Sequence, residues 1–157
     1  VVGYERIEQH ASNDEIFTAA EYELSLSEAC KGIGRSDYIL AVDLAEQAAR
    51  SGLTKAKVEY ELIAGQIFFL DEFRFDTDGL IKYKKNALRY LTEAAGVGNQ
   101  AAMYRLSSLY EEGKITKKND KLAYHYFEMY INESGNTSAS SMKILEELRA
   151  NANRGSR

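Results

Sequence analysis

The chain has 157 residues, 45% of them hydrophobic, with 20 basic against 24 acidic side chains and a net charge of −4. That length allows one domain with a sizeable core, and the mild acidity gives no overall pull toward nucleic acid or anionic lipid, so neither is expected as a partner. No apolar run approaches the ~20 residues of a membrane span, and the single cysteine, Cys30, has no internal disulfide partner, which suits the cytoplasm and a bacterial periplasm equally.

The sequence opens Val1-Val2-Gly3 without an initiator Met. A processed form or a cut-down chain is expected, any signal or lipid anchor would lie ahead of Val1, and export stays open. Residues 1–12 have weak periodicity and are expected to form an N-terminal arm. Asn13-Asp14-Glu15 then supplies a side-chain acceptor and acids where a helix dipole favours them, opening a helix that runs to about Lys31. Further helices are predicted near 37–51, 55–70, 83–96, 99–112, 120–133 and 139–150, about seven in all. The absence of proline and the presence of 11 glycines agree with helices throughout, since proline interrupts a helix and glycine closes one.

Apolar side chains sit at helical spacing in each of these segments. Tyr60, Ala64, Ile67 and Phe68 mark one stripe, and Ala87, Tyr90, Leu91 and Ala94 the next. Ala102, Leu106, Leu109 and Tyr110 form a third, followed by Ala123, Tyr126, Phe127 and Tyr130. The segment from Ala139 carries Met142, Ile144, Leu145 and Leu148 against Lys143, Glu146, Glu147 and Arg149, and reads as an amphipathic cap. Residues 151–157 are expected to be a flexible tail.

The stripes repeat. Lys85 onward can be laid over Lys121 onward at an offset of 36 residues, with Gly98-Asn99 answered one position later by Gly135-Asn136, and a third copy lies 46 residues upstream of the first. There Ala41, Leu44, Ala45, Ala48, Ala49 and Gly52 take the places of Ala87, Tyr90, Leu91, Ala94, Ala95 and Gly98. Periods of this size mark stacked helical hairpins, each too small to bury its own apolar face. The expected fold is therefore all-α, a solenoid over residues 13–150 of about three helical-hairpin repeats between an N-terminal helix and a C-terminal capping helix.

The run Ala102-x-x-x-Leu106-x-x-x-Tyr110-x-x-Gly113, followed by Ala123-x-x-Tyr126-Phe127, resembles the Sel1-like repeat, a relative of the tetratricopeptide repeat. So does Gly79-Leu80, Ala87-x-x-Tyr90-x-x-x-Ala94-Ala95-x-x-Gly98-Asn99 in the preceding unit. The likeness spans about residues 20 to 136 and is strongest in the second and third units. In the first, Asp37 and Ala41 match, but Glu28 stands where Tyr110 does. The third unit departs from the pattern at Ser107 for a Gly, Asn119 for an Asp, and Tyr130-Ile131 for paired Ala, larger residues that suggest wider packing against the last helix. The resemblance implies a right-handed α–α superhelix.

The longer first interval places its excess in residues 69–79. Phe73 and Phe75 there either extend a helix onto the core or, with Phe69 and Arg74, form an aromatic contact patch. Asp76-Thr77-Asp78-Gly79 superficially resembles a calcium loop but lacks the remaining ligands, so neither a metal nor any other cofactor is expected. Chemistry is equally thin. Cys30 and His125 lie 95 positions apart at opposite ends of a solenoid, His10 falls in the N-terminal arm, adjacent acids such as Glu111-Glu112 point apart on a helix, and no glycine-rich phosphate loop follows a strand. Lys82, Lys84 and Lys85 recur in place as Lys114, Lys117, Lys118 and Lys121; solvated lysines are the plainer reading, a basic edge for an acidic partner the alternative.

The resemblance implies a non-catalytic scaffold or adaptor that binds a protein partner, as a monomer or weak homodimer. In a tetratricopeptide-like array the first helix of each unit lines the concave face, which places Tyr22 and Leu26, then Glu59, Gln66 and Phe69, then Tyr104, Ser108 and Glu111 along an inner wall. Tyr104 stands out because it precedes Leu106 by two, off the core stripe. Two other roles follow from relatives: an immunity protein neutralising a secreted bacterial toxin, and a hydrolase akin to cysteine-rich repeat proteins, whose paired cysteines are absent here.

Overall fold

The computed structural model describes residues 35–68 and 77–155 of the chain. Among them are six helices and no strand: α1 Arg35–Arg50, α2 Thr54–Phe68, α3 Thr77–Gly96, α4 Gln100–Glu112, α5 Asp120–Ser134 and α6 Ala139–Arg154. The arm at 1–12, the helix expected at 13–31 and the greater part of the 69–79 connection lie outside the described residues. Two boundaries differ from expectation. α3 starts at Thr77 rather than near 83, with Asp78 in its first turn where a carboxylate favours the dipole, so Thr77-Asp78-Gly79 is helix and not loop. α6 runs on to Arg154 rather than stopping at 150, because Ala152 is buried and continues the stripe of Leu145 and Leu148.

The chain divides into two compact units, Val1–Tyr90 and Leu91–Arg157. In the first, α1 packs on α2. Ala45, Ala48 and Ala49 of α1 and Ala56 and Ala64 of α2 have no exposed surface, so the helices close with little side-chain bulk between them. Tyrosines fill what the alanines leave. Tyr60 meets Tyr90 edge-on at 5.2 Å between ring centres, and Tyr83 at 6.3 Å, the first an arrangement that adds about 0.5–1.5 kcal/mol to area burial. Gly65 has a specific part in this core. A Cβ there would stand 2.6 Å from the Tyr83 oxygen, and its absence admits the hydroxyl, which donates to the Glu61 carbonyl over 3.1 Å.

A buried carboxylate ties α3 to α1. Glu46 accepts from the Asn86 amide at 3.3 Å, and its other oxygen lies 3.1 Å from the Lys82 ammonium; Arg50 approaches within 3.9 Å. Asn86 also bonds the Tyr60 hydroxyl. Burial pushes that hydroxyl up to about 12, with Glu46 adding to the rise and the Asn86 bond opposing it.

In the second unit α4 packs on α5, and α5 on α6. Each helix begins at a side-chain cap. The Asn99 oxygen accepts from the Ala102 amide at 2.9 Å and the Asn119 oxygen from Leu122 at 3.0 Å, so Asn119 performs the capping expected of the Asp it replaces. The Ser138 hydroxyl accepts from Ser141 at 3.3 Å. α4 closes on Gly113 at φ 72°, a left-handed residue whose amide donates to the Leu109 carbonyl. The core joins Ala123, Phe127 and Ile131 of α5 to Leu145 and Leu148 of α6. Ile131, at a position where the repeat pattern has a small residue, fills the joint to the capping helix. Ser107 is likewise accounted for: its buried hydroxyl donates to the Ala123 carbonyl at 2.8 Å and pins α4 to α5.

Candidate functional site

On α4, Tyr104, Ser108 and Glu111 follow one another at one-turn spacing and share a face opposite the buried Met103, Leu106 and Leu109. Tyr104 is 47% exposed, one of the largest apolar surfaces that the second unit shows to solvent. It is also held. Its ring lies 5.3 Å from Tyr130, edge-on, and 6.0 Å from Phe127, and Phe127 and Tyr130 lie 5.6 Å apart. The hydroxyl of Tyr130 accepts from the Asn136 amide at 3.3 Å, anchoring the far side of this aromatic group. Tyr104 thus packs on the next helix while nearly half of its surface stays open to solvent. Ser108 turns its hydroxyl back to the Tyr104 carbonyl at 3.4 Å, and Glu111 is exposed.

The other proposed contact residues are distributed differently. Glu59 is half-buried on α2, and Gln66 lies seven positions further along the same helix. Tyr22, Leu26, Phe69, Phe73, Arg74 and Phe75 lie outside the described residues, as does Cys30. Thus Tyr104, Ser108 and Glu111 are the part of the proposed wall that the structure brings together.

Tyr130 and Phe127 complete the aromatic group and were placed by the sequence on the core stripe alone. The signal was present in Tyr130, a large ring at a repeat position that calls for alanine. The lysines also sort themselves. Lys82 is engaged by Glu46, Lys114 approaches Glu112 at 4.0 Å and Lys118 approaches Asp120 at 3.8 Å, whereas Lys117 and Lys121 are exposed without a carboxylate partner among the described residues. Among the described residues no cluster of three or more His, Cys, Asp or Glu could hold a metal ion, and no helix is long and apolar enough to cross a membrane.

Helical hairpins with alanine-lined joints, glycine-closed helices and a last helix covering the end define an all-helical repeat protein. Residues 18–53 and 100–129 match the model of the Sel1 repeat, and the two matches support a Sel1-like repeat protein. These repeats imply a helical solenoid and are generally protein–protein interaction modules. The matched segments correspond to the first and third units, although the first has the weaker likeness to the repeat pattern; the unmatched middle unit is the one whose second helix, α3, has 20 residues against the 15 of α5. No curated protein and no solved structure matches the chain.

Proposed function

We propose that the chain is a non-catalytic adaptor and that the Tyr104, Ser108 and Glu111 face of α4 is where its partner docks. The observation that carries this reading is the half-exposed Tyr104 ring, braced from behind by Tyr130 and Phe127. A rigid aromatic of this kind adds contact area on binding at little cost in side-chain entropy, and tyrosine is enriched among the residues that dominate interface energies. Glu111, exposed one turn beyond Ser108, supplies charge selectivity at the rim.

The test is a paired capture from the native source, with wild type and Tyr104→Ala/Glu111→Lys as baits and quantitative mass spectrometry as the readout. Loss of an anchor plus reversal of a rim charge lowers affinity by about 1–2 kcal/mol or more, so a partner that docks here is depleted about tenfold on the variant at a temperature where circular dichroism shows both baits folded. Equal recovery on both baits moves the contact to the 69–76 segment or to another face. A secreted toxin as the captured protein would make the chain its immunity protein.

A further inference from the structure

We propose that the Tyr104 face of α4 receives an arginine-bearing segment of the protein partner, with a guanidinium over the exposed ring and the carboxylates of Glu111 and Glu133 to either side. This inference rests on the docking face proposed above and specifies what that face recognises. Gln100, Tyr104, Ser108 and Glu111 follow one another about a turn apart along α4, and none of them is basic. Glu133 stands at the start of this stripe: a Cβ at Gly98 would lie 3.5 Å from its Oε1, and the Gln100 side-chain amide donates to its backbone carbonyl at 3.5 Å. Glu111 stands at the other end.

The ion pairs of the second unit show which acids are spare. Glu112 meets Lys114, Asp120 meets Lys118, Glu146 meets Arg149 and Glu147 meets Lys143. Glu128 accepts from the Tyr124 hydroxyl, and Glu93 is engaged as well. The carboxylates of Glu111 and Glu133 are exposed and have no such partner among the described residues. The unit's two uncompensated acids are thus the two that flank Tyr104, which gives the face a charge complementary to a basic segment.

The same unit already holds an arginine of its own in this manner. The Arg149 guanidinium lies 5.6 Å from the centre of the Tyr124 ring and bonds Glu146 at 2.7 Å. Its Nε donates to the Tyr124 hydroxyl at 3.3 Å, and that hydroxyl bonds Glu128. Tyr104 has the ring and the acids, but no cation of the chain lies over it among the described residues. Its aromatic neighbours do not lie flat on it either. Tyr130 and Phe127 meet the ring plane at 73° and 52°, whereas Tyr110 and Tyr126 stack within 2° of parallel. A tyrosine face attracts a cation within about 6 Å, arginine more often than lysine, because a planar guanidinium stacks on the ring and keeps N–H groups for a carboxylate.

The experiment is an amide NMR titration of the full chain with a blocked Arg-Gly-Arg-Gly-Arg peptide at about 150 mM salt, where diffuse surface attraction is screened beyond about 8 Å. Expected are saturable shifts centred on Gln100 to Glu111 and on Tyr130. Tyr104→Phe, which keeps the ring, should bind like wild type, and Tyr104→Leu about two- to fivefold more weakly, the range given by exposed cation–π pairs. Glu111→Gln/Glu133→Gln should weaken binding by a similar factor, while Glu146→Gln/Glu147→Gln, which removes as much charge from α6, should leave it unchanged. Absence of saturation by about 10 mM overturns the proposal. Leucine as good as phenylalanine at position 104 overturns it in favour of apolar contact, and equal weakening by the two acid pairs overturns it in favour of diffuse charge. A Lys-Gly-Lys-Gly-Lys peptide bound as tightly overturns the choice of arginine. These outcomes leave the docking face itself standing; that face is tested separately by the paired capture, where equal recovery on both baits removes it. All four glutamates are exposed, so the acid variants are expected to fold, and they decide alone if a Tyr104 variant does not.

Discussion

Glu46 offers a direct test of what holds α3 to α1. Its carboxylate is 7% exposed, with the Asn86 amide at 3.3 Å from one oxygen and the Lys82 ammonium at 3.1 Å from the other. Glu46→Gln keeps an acceptor for Asn86 and removes the charge. Because the Lys82 side chain is 62% exposed, the ion pair is largely screened and its loss costs about 0.5–1 kcal/mol. Glu46→Leu removes the acceptor as well, leaving the buried Asn86 with an unmet donor at about 1–3 kcal/mol, offset in part by the apolar area gained. Leucine should therefore be the more damaging change, by about 1 kcal/mol or a little more. In thermal melts the two variants would separate by about 2–4 °C for a chain of this length. A glutamine variant as unstable as the leucine variant would show that the ion pair dominates; a leucine variant as stable as wild type would show that the cluster does not hold the helices together.

The Tyr60 hydroxyl, raised from 10.0 to about 12 in the folded chain, makes stability fall with alkali. Below the unfolded value both states are protonated; between the two values the unfolded chain loses its proton first, so up to about 3 kcal/mol is lost as pH rises through that window. Urea midpoints should drop more steeply there for wild type than for Tyr60→Phe, and parallel slopes would refute the assignment. Ala94 has no exposed surface, so Ala94→Leu should overpack its joint and cost about 1–3 kcal/mol; an unmoved thermal midpoint would place Ala94 off the contact. Ser107→Ala should cost about 1 kcal/mol through loss of the bond to the Ala123 carbonyl, measurable as a lower urea midpoint, and no change would mean that the bond adds nothing net.

Most of the helical framework was legible because its causes are local. Asn99, Asn119 and Gly113 cap and close their helices within a few residues, and the alanines at helical spacing from Ala45 to Ala123 announce close joints. The two misplaced boundaries, at Thr77 and Arg154, lie beside glycines, Gly79 inside the first turn of α3 and Gly155 at the close of α6, and tertiary packing decides whether a helix runs through or up to such a residue. Distant pairing was not legible. Asn86 meets Glu46 across 40 positions and Ser107 meets Ala123 across 16, and neither residue type reveals from its neighbours alone whether its polar atoms are buried or solvated. For the candidate surface, Tyr104 could be singled out because it lies off the apolar stripe, whereas the bracing by Tyr130 depends on how α4 and α5 pack.

The docking face of α4 is tested most directly by placing a photo-cross-linking phenylalanine analogue at Tyr104, and in a separate chain at Lys143 on α6, then irradiating each in extract from the native source. Cross-links at position 104 should converge on one protein and disappear under an excess of unlabelled wild-type chain, while excess Tyr104→Ala/Glu111→Lys chain leaves them in place. Equal competition by wild type and variant, or the same product from position 143, would contradict docking through Tyr104.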